Sequence, residues 1–436
     1  MNKKIIAGIL AGTMLAGCGA ANIPGGTGIS RSGGSENLSG NVERINVSYS
    51  EDDLKEGWTG NLSAASFDLM MHVLESEKSG ENVLISPTSI MMAFGMTENG
   101  AHGNTLSEME SVINGGLSVS EMNPAMYALA ERFESSGDVM WNVANSVWFR
   151  DDGRYEVVPE FAQAAKSWYD ADVWKAAFDE GTVGDINSWV SEETKGMIDE
   201  IISDIPDETR MYLINAMAFE GKWMVEYEPE DICEDLIFTN YDGSTSKVTM
   251  LRSTEASYIE PGNGIGFIRP YMGGEYSFVG ILPDEGITVE DYIRELAESG
   301  YDFSETVRNP RSYSGDIIVT MPEFKTEYKA DMVDVLKDMG INSAFDGLTA
   351  DLSGLMRPVD DSVNEIWIDK VIHKTFIEVD REGTRAAAVT AIGVDACGAE
   401  PVSDPPMYIT LDRPFVYAVV DNETGLPVFL GCVNSL

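Results

Sequence analysis

The segment that decides the fold runs Arg381-Glu382-Gly383-Thr384-Arg385-Ala386-Ala387-Ala388-Val389-Thr390, near the C-terminal end of a 436-residue chain. It follows a strand-like run, residues 374–379, yet it carries small and β-branched side chains where a surface loop usually has polar turn residues. With a period of two, one small, buriable face is formed by Thr384, Ala386, Ala388, Thr390 and Ile392. A loop of this composition can be taken up by a sheet as a new strand. An ordinary strand or the end of an Ala-rich helix would have the same composition.

The first residues of the chain predict export and lipid anchoring. Lys3 and Lys4 precede an apolar run, residues 5–14, which is too short to span a bilayer. Leu15-Ala16-Gly17-Cys18 then resembles the bacterial lipobox, so we expect a signal peptide over residues 1–17 and a lipid on Cys18. A plain secretory signal with a chance cysteine is the alternative. The protein is thus expected to be held by its lipid at the bacterial cell surface, or to be extracellular.

The composition of the rest indicates a flexible tether followed by one large domain. Residues 18–57 are rich in Gly, Ser and Asn, which predicts a flexible Gly/Ser-rich tether. Residues 58–436 show no internal linker and are long enough to bury a large core. With 73 acidic and 29 basic residues, the formal charge of −44 argues against nucleic acid and anionic lipid as partners.

The cysteine and histidine residues give no sign of an active site or a metal site. With Cys18 assigned to lipid, three cysteines are left, an odd number that does not make a disulfide framework. Cys432 lies in a strand-like run and is expected to be a small buried hydrophobe. The three histidines lack metal-site spacing, and neither a nucleophile elbow nor a phosphate-binding loop is present. We therefore expect no metal, no cofactor and no enzymatic activity.

Several segments outside residues 381–390 resemble the serpin family, the serine protease inhibitors, in the same order along the chain. Asn82-Val83-Leu84-Ile85-Ser86-Pro87-Thr88-Ser89-Ile90 resembles the N-terminal signature of that family. The segments that continue the resemblance are residues 100–105, 186–190, 213–216, 219–223, 321–325, 351–354, 414–415 and 429–431. No single motif would suffice, but together they cover about residues 60–436.

The resemblance implies an α+β fold with about nine helices around three β-sheets and an exposed reactive-centre loop, here about residues 381–406. It implies a metastable native state in which the largest sheet has a gap. A target serine protease would cut the loop and form an acyl-enzyme, and the cut loop would enter the sheet and distort the trapped protease. It also implies a monomer that meets its target in a covalent complex.

The resemblance also assigns roles to residues of this sequence. Ser86, Ser89, Asn215 and His373 align with the shutter, where the strands part, and Trp223 aligns with the breach, where the loop enters. The loop hinge comprises Glu382, Gly383, Thr384, Ala386, Ala387, Ala388 and Thr390. Ser, Asn and His can exchange hydrogen bonds, and a buried polar cluster must be satisfied. An ordinary core histidine or core tryptophan would look the same in the sequence.

The composition of the hinge favours an inhibitor over a non-inhibitory serpin-fold surface binding protein, which is the alternative. None of its inward positions would be costly to bury. Arg381 and Arg385 stand where the family usually has Glu, and we expect both on the exposed side with modest effects on insertion rate.

The family's usual spacing puts the reactive bond at Cys397–Gly398, with Ala396 as the alternative bait residue. A small uncharged bait suits an elastase-like protease. A trypsin-like enzyme is disfavoured, because no Lys or Arg lies between Arg385 and Arg413.

Overall fold

The structure, a computed structural model, describes residues 29–40, 42, 44–45, 47, 49–50, 53–360, 366–384 and 404–436. The predicted signal peptide and Cys18 lie outside these residues. Within them, no helix is long and apolar enough to cross a membrane.

Nine α-helices occur in the described part of the chain. They are α1 (Trp58–Ser76), α2 (Pro87–Glu98), α3 (Gly103–Val112), α4 (Val119–Ser135), α5 (Pro159–Tyr169), α6 (Glu180–Glu193), α7 (Val289–Glu298), α8 (Phe303–Arg308) and α9 (Val333–Asp338). Helix α2 is buried along its whole length, and it begins at Ser86, whose Oγ accepts a hydrogen bond from the backbone N–H of Ser89 at 3.2 Å. Pro87 follows at the first helical position, where its missing N–H costs nothing.

Three sheets of four or more strands surround the core, and a two-stranded ladder completes the described strands. The first ten strands are β1 (Ile29–Ser30), β2 (Glu36–Asn37), β3 (Val83–Ile85), β4 (Val139–Arg150), β5 (Tyr155–Val157), β6 (Asp172–Ala176), β7 (Met211–Lys222), β8 (Ile232–Thr239), β9 (Thr245–Glu255) and β10 (Tyr258–Ile259). The others are β11 (Gly264–Pro270), β12 (Tyr276–Pro283), β13 (Ile317–Pro322), β14 (Phe324–Asp331), β15 (Met356–Pro358), β16 (Lys370–Val379), β17 (Gly383–Thr384), β18 (Met407–Thr410), β19 (Phe415–Asp421) and β20 (Pro427–Val433). The predicted α+β class with about nine helices and three main sheets is confirmed.

The large sheet has the strand order β1-β2-β6-β4-β7-β17-β16-β14. Its central strand β7 is buried on nearly every residue, which explains the almost unbroken apolar run of its sequence. A six-stranded sheet, β10-β11-β12-β19-β20-β3, packs with the helices against one face and forms the main core. The four-stranded sheet β18-β13-β9-β8 lies at one end, and β15 pairs with β5.

A smaller core covers the other face of the large sheet beneath α6. The rings of Trp148 and Trp174 stack with their centroids 4.9 Å apart, and the ring of Trp189 on α6 meets Trp148 edge-on. This cluster fixes α6 across the sheet strands that have to move if the sheet is to open.

Within the segment predicted as a flexible tether, residues 29–40 pack against the large sheet. Strands β1 and β2 form a hairpin, and β2 pairs with β6 at the edge of the large sheet. The carboxylate of Asp185 on α6 accepts the backbone N–H groups of Gly33 and Ser35 at 2.8 and 3.1 Å, and Arg31 pairs with Glu192 at 2.7 Å. Gly33 is required here, because a Cβ would lie 2.2 Å from the carbonyl oxygen of Gly181. A Gly- and Ser-rich composition allowed this close approach and did not signal disorder.

Candidate functional site

Strands β7 and β16 are joined at one end of the large sheet and separated at the other. Residues 370–376 of β16 pair directly with residues 212–218 of β7, in parallel. Beyond Phe376 the two strands are held apart by β17. Thr384 pairs with Val379 of β16 on one side and with Gly221 of β7 on the other, antiparallel in both cases. The sheet therefore has an opening, and Gly383 and Thr384 of the loop lie within it.

A tight turn at residues 380–383 directs the chain into this opening. The carboxylate of Asp380 accepts the backbone N–H groups of Glu382 at 2.8 Å and Gly383 at 3.1 Å. Burial raises the pKa of Asp380, and those two hydrogen bonds oppose the rise. Gly383 has a φ of +151°, and a Cβ there would lie 2.2 Å from the carbonyl oxygen of Gly221. Only glycine fits between the turn and strand β7.

The open end of the sheet is lined by aromatic side chains. The indole Nε1–H of Trp223 donates to the carbonyl oxygen of Asp380 at 2.8 Å. The Trp223 ring stacks on the ring of Tyr271, with 4.8 Å between centroids and 9° between planes. The hydroxyl groups of Tyr271 and Thr384 lie 2.7 Å apart, and the side chain of Thr384 is fully buried. Trp223 thus holds the turn, and Tyr271 holds the first inserted side chain.

Arg381 fastens the outside of the same turn. Its guanidinium makes two hydrogen bonds to the carboxylate of Glu323, at 2.9 and 3.1 Å. Glu323 precedes β14, so the pair links the loop base to the neighbouring edge of the sheet. The resemblance led us to expect a Glu at position 381; Arg381 stands there instead, and the carboxylate of Glu323 complements its positive charge.

A polar cluster bridges the closed end of the sheet and the start of α2. The backbone N–H of Ser86 donates to Nε2 of His373 at 3.1 Å, and Nδ1 of His373 lies 2.6 Å from Oδ1 of Asn215. The amide nitrogen of Asn215 donates to the carbonyl oxygen of Ser89 at 2.8 Å and to Oδ1 of Asn145 at 2.6 Å. The structure thus brings together the four residues that the resemblance assigned to the shutter.

The hydrogen bonds define the protonation state of His373. Because Nε2 accepts from Ser86, Nδ1 carries the proton and donates to Asn215. His373 is completely buried, and burial lowers its pKa to about 3. The imidazole is therefore neutral at physiological pH, and it contributes hydrogen bonds without a charge.

Four contributors to this site were not predicted from the sequence. Asn145 lies on β4 directly opposite Asn215, and a polar residue within a strand-like run was the available signal. Asp380, followed three residues later by Gly383, is a turn signal that the sequence offered. Tyr271 and Glu323 reach the site only through tertiary packing.

The remaining predicted site residues lie outside the described part of the chain. They are Ala386, Ala387, Ala388, Thr390, Ala396, Cys397 and Gly398. Cys432 is fully buried, as expected for a small hydrophobe, and burial raises the pKa of its thiol to about 12. In the described residues, no group of three or more His, Cys, Asp or Glu side chains is placed to hold a metal ion.

Comparison with known proteins agrees with this geometry. The family model for Serpin (serine protease inhibitor) matches residues 61–436. Iripin-3 from Ixodes ricinus is 31% identical over 388 residues, which cover 86% of this chain and 95% of the relative. Leukocyte elastase inhibitor from Homo sapiens is 28% identical over 391 residues, covering 85% of this chain and 97% of the relative.

Two crystal structures of the thermophilic serpin tengpin distinguish alternative states of such a fold. The native state matches with a TM-score of 0.83 and 38% identity, covering 92% of this chain and 100% of that one. The latent state gives a TM-score of 0.74 at 37% identity, covering 88% and 99%. The higher score belongs to the native form. Together with the family match over most of the chain, these comparisons show that the protein belongs to the serpin family.

Proposed function

We propose that this protein is an irreversible, suicide-substrate inhibitor of serine proteases that acts by insertion of its cleaved loop into the large sheet. The observation that carries the proposal is that β7 and β16 already accept Gly383 and Thr384 as an antiparallel strand between them. Loop insertion would extend a ladder that has begun, so no new pairing has to be nucleated.

The register of this ladder predicts where each later residue of the loop would lie. Each step forward along the loop is matched by one step back along β7 and β16. Ala386 would then lie between Phe219 and Ile377, and Ala388 between Met217 and Thr375. These residues share the buried face of Thr384, and a small side chain fits that face. The composition of the hinge therefore suits full insertion.

The same register brings Thr390 to the shutter. Thr390 would lie between Asn215 and His373, whose side chains hydrogen-bond to each other in the closed sheet. Insertion would break that hydrogen bond, and the hydroxyl of Thr390 can both donate and accept in its place. The loop would thus supply a replacement hydrogen-bond partner, Thr390, for the bond between Asn215 and His373 that insertion breaks.

The length of the loop supports the predicted reactive bond. In the extended register, residue 394 would reach Met211, the first residue of β7. A cut after Ala396 or Cys397 would therefore leave a strand that runs the full length of the sheet, about 45 Å at 3.3 Å per residue. A bond at Cys397–Gly398 with a small bait residue supports an elastase-like target.

Incubation of the protein with an elastase-like serine protease tests this proposal. We expect a covalent complex that survives SDS, and a released C-terminal peptide that begins at Gly398 or at Cys397. Clean cleavage without a complex, for elastase-like and other serine proteases alike, would contradict inhibition and favour the non-inhibitory binding protein.

Heat stability separates the two functions without a known target. Cleavage of the loop by any protease that accepts it should raise the unfolding temperature of an inhibitor strongly, because the cut loop becomes a central strand. A serpin-fold binding protein that does not insert its loop should gain nothing. Uncut protein carried through the same incubation is the control.

We also propose that the protein is anchored by a lipid on Cys18 at the bacterial cell surface, which would place the inhibitor where external proteases act. The lipobox-like sequence before Cys18 supports this. Membrane fractionation of wild type and Cys18→Ala tests it, with release of the variant into the soluble fraction as the expected result. Equal membrane retention of both would contradict the anchor.

A further inference from the structure

A cavity of about 390 Å³ lies beside the open end of the large sheet. It is lined by residues 224–227 and Asp231, which follow β7, and by residues 252–255 of β9 with Ile318 of β13. Arg269 and Pro270, at the end of β11, complete the lining. Its volume falls in the range of small-molecule pockets, which bury most of a bound ligand.

A buried cation, the guanidinium of Arg269, lines the cavity. The guanidinium of Arg269 pairs with the carboxylate of Glu255 at 2.7 Å, and both side chains are almost fully buried. It also lies over the rings of Tyr227 and Trp223, at 4.1 and 5.1 Å from their centroids. Its Nε–H is buried and has no acceptor among the described residues. A bound ligand or a water molecule could accept from such a donor.

Two opposite charges line this cavity without meeting. Glu226 and Arg252 both line it. In the described part of the chain, neither side chain makes a hydrogen bond or an ion pair. Met224, Val225 and Ile318 add apolar surface to the lining. The cavity therefore presents an unpaired carboxylate, an unpaired guanidinium and apolar surface.

We propose that this cavity binds a small zwitterion with an apolar body, namely a free apolar amino acid or a short apolar peptide. The ligand carboxylate would pair with Arg252, close to the unsatisfied Nε–H of Arg269, and the ammonium group with Glu226. Charge-assisted hydrogen bonds of this kind are about twice as strong as neutral ones. A simple anion would meet Glu226, Asp231 and Glu255, and a simple cation would meet both arginines, so a ligand with both charges fits best.

Calorimetric titration of the full chain with leucine, phenylalanine and the dipeptide Leu-Leu tests the proposal and separates its two ligand sources. We expect at least one of these probes to bind at millimolar concentration or below. N-acetyl-leucine lacks the ammonium group and leucinamide lacks the carboxylate, and each should bind about tenfold or more weakly than leucine.

Variants of Glu226 and Arg252 test which residue binds the ammonium group and which the carboxylate. Glu226→Gln should remove the preference for leucine over N-acetyl-leucine, and Arg252→Gln the preference for leucine over leucinamide. Glu160→Gln and Arg357→Gln, an exposed pair 3.5 Å apart elsewhere on the surface, should leave both preferences unchanged. Absence of binding by all three probes, or binding that is indifferent to Glu226→Gln and Arg252→Gln in folded protein, would overturn the proposal.

Discussion

The two ends of the β7–β16 pair differ in what holds them. At the open end, an aromatic stack and a tight turn support Gly383 and Thr384 between the strands, and Thr384 contacts Tyr271 and strand β7. At the closed end, the two strands pair directly, and His373 and Asn215 hydrogen-bond across them. The open end thus needs no bond between its strands to be broken, whereas the closed end does.

This difference indicates where the barrier to the proposed loop insertion would lie. A buried polar cluster is stable only while every member has a partner, so parting β7 from β16 has to break and replace its hydrogen bonds. In the proposed mechanism, the open end would select which side chains can start to insert, and the closed end would determine how readily insertion proceeds. Changes at the two ends should therefore have different consequences.

The largest expected effect is the loss of inhibition in Thr384→Arg. Thr384 is fully buried, and an arginine there would bury a charge without a partner, at a cost of several kcal/mol. If the activation barrier to insertion rises by even about 3 kcal/mol, the insertion rate falls roughly a hundredfold. The protease then completes hydrolysis before it is trapped. The ratio of SDS-stable complex to cleaved, uncomplexed protein on a gel measures how often the protease is trapped and how often it escapes.

Two further variants control this prediction. Thr384→Ser keeps the hydroxyl group and should retain most of the complex. Thr239→Arg adds the same charge at an exposed position on β8 and should behave as wild type. If Thr384→Arg still traps its target fully, the first inserted side chain does not select what enters the sheet.

The next largest effect concerns acid stability at the closed end. The pKa of His373 is lowered to about 3 in the folded state, below the value of 6.5 expected when the chain is unfolded. The unfolded chain therefore binds the additional proton first, and the stability given by neutral His373 is present above pH 6.5. It is lost as the pH falls towards 3, by up to about 1.4 kcal/mol per pH unit.

Denaturant unfolding of wild type and His373→Gln across this range measures the effect. A glutamine has no titration in the window and can still donate to Asn215 and accept from Ser86. We expect the difference in unfolding free energy between the two proteins to shrink or reverse as the pH falls. Both proteins contain the same acidic residues, so the titration of those residues cancels in the comparison. Parallel curves from pH 7 to pH 4 would show that His373 is not held neutral by burial.

The sequence predicted the closed end better than the open end. Ser86, Ser89, Asn215 and His373 were assigned to one cluster by the resemblance to the serpin family, and the need of buried polar residues for partners agrees with that assignment. At the open end, Trp223 was recognised, but Tyr271 and Glu323 approach from distant parts of the chain, and nothing local marks them. The same limitation applies to residues 29–40, where a segment with a composition typical of a tether packs against α6 through Asp185.

A smaller effect is expected when Tyr271 loses its hydroxyl group. Tyr271→Phe keeps the stack on Trp223 and removes only the partner of Thr384, which should cost about 1 kcal/mol. A double-mutant cycle with Thr384→Val isolates this contact, with a coupling free energy of about 1 kcal/mol expected from unfolding curves. A coupling near zero would mean that the two hydroxyl groups do not stabilise the inserted residue.

The smallest expected effect is that of the exposed pair outside the turn. Arg381 is about half exposed, and pairs of this kind contribute roughly 0–1 kcal/mol because water screens them. Arg381→Glu and Glu323→Arg should each lower stability within that range, and the double exchange Arg381→Glu with Glu323→Arg should recover it. Unfolding curves at low and high salt measure the three variants, and the differences should shrink as salt rises. The pKa of Arg381 is raised first by Glu323 and less by Asp380 and Glu234. If the double exchange is no better than Arg381→Glu alone, the turn at the open end is held by its own carboxylates and not by its link to β14.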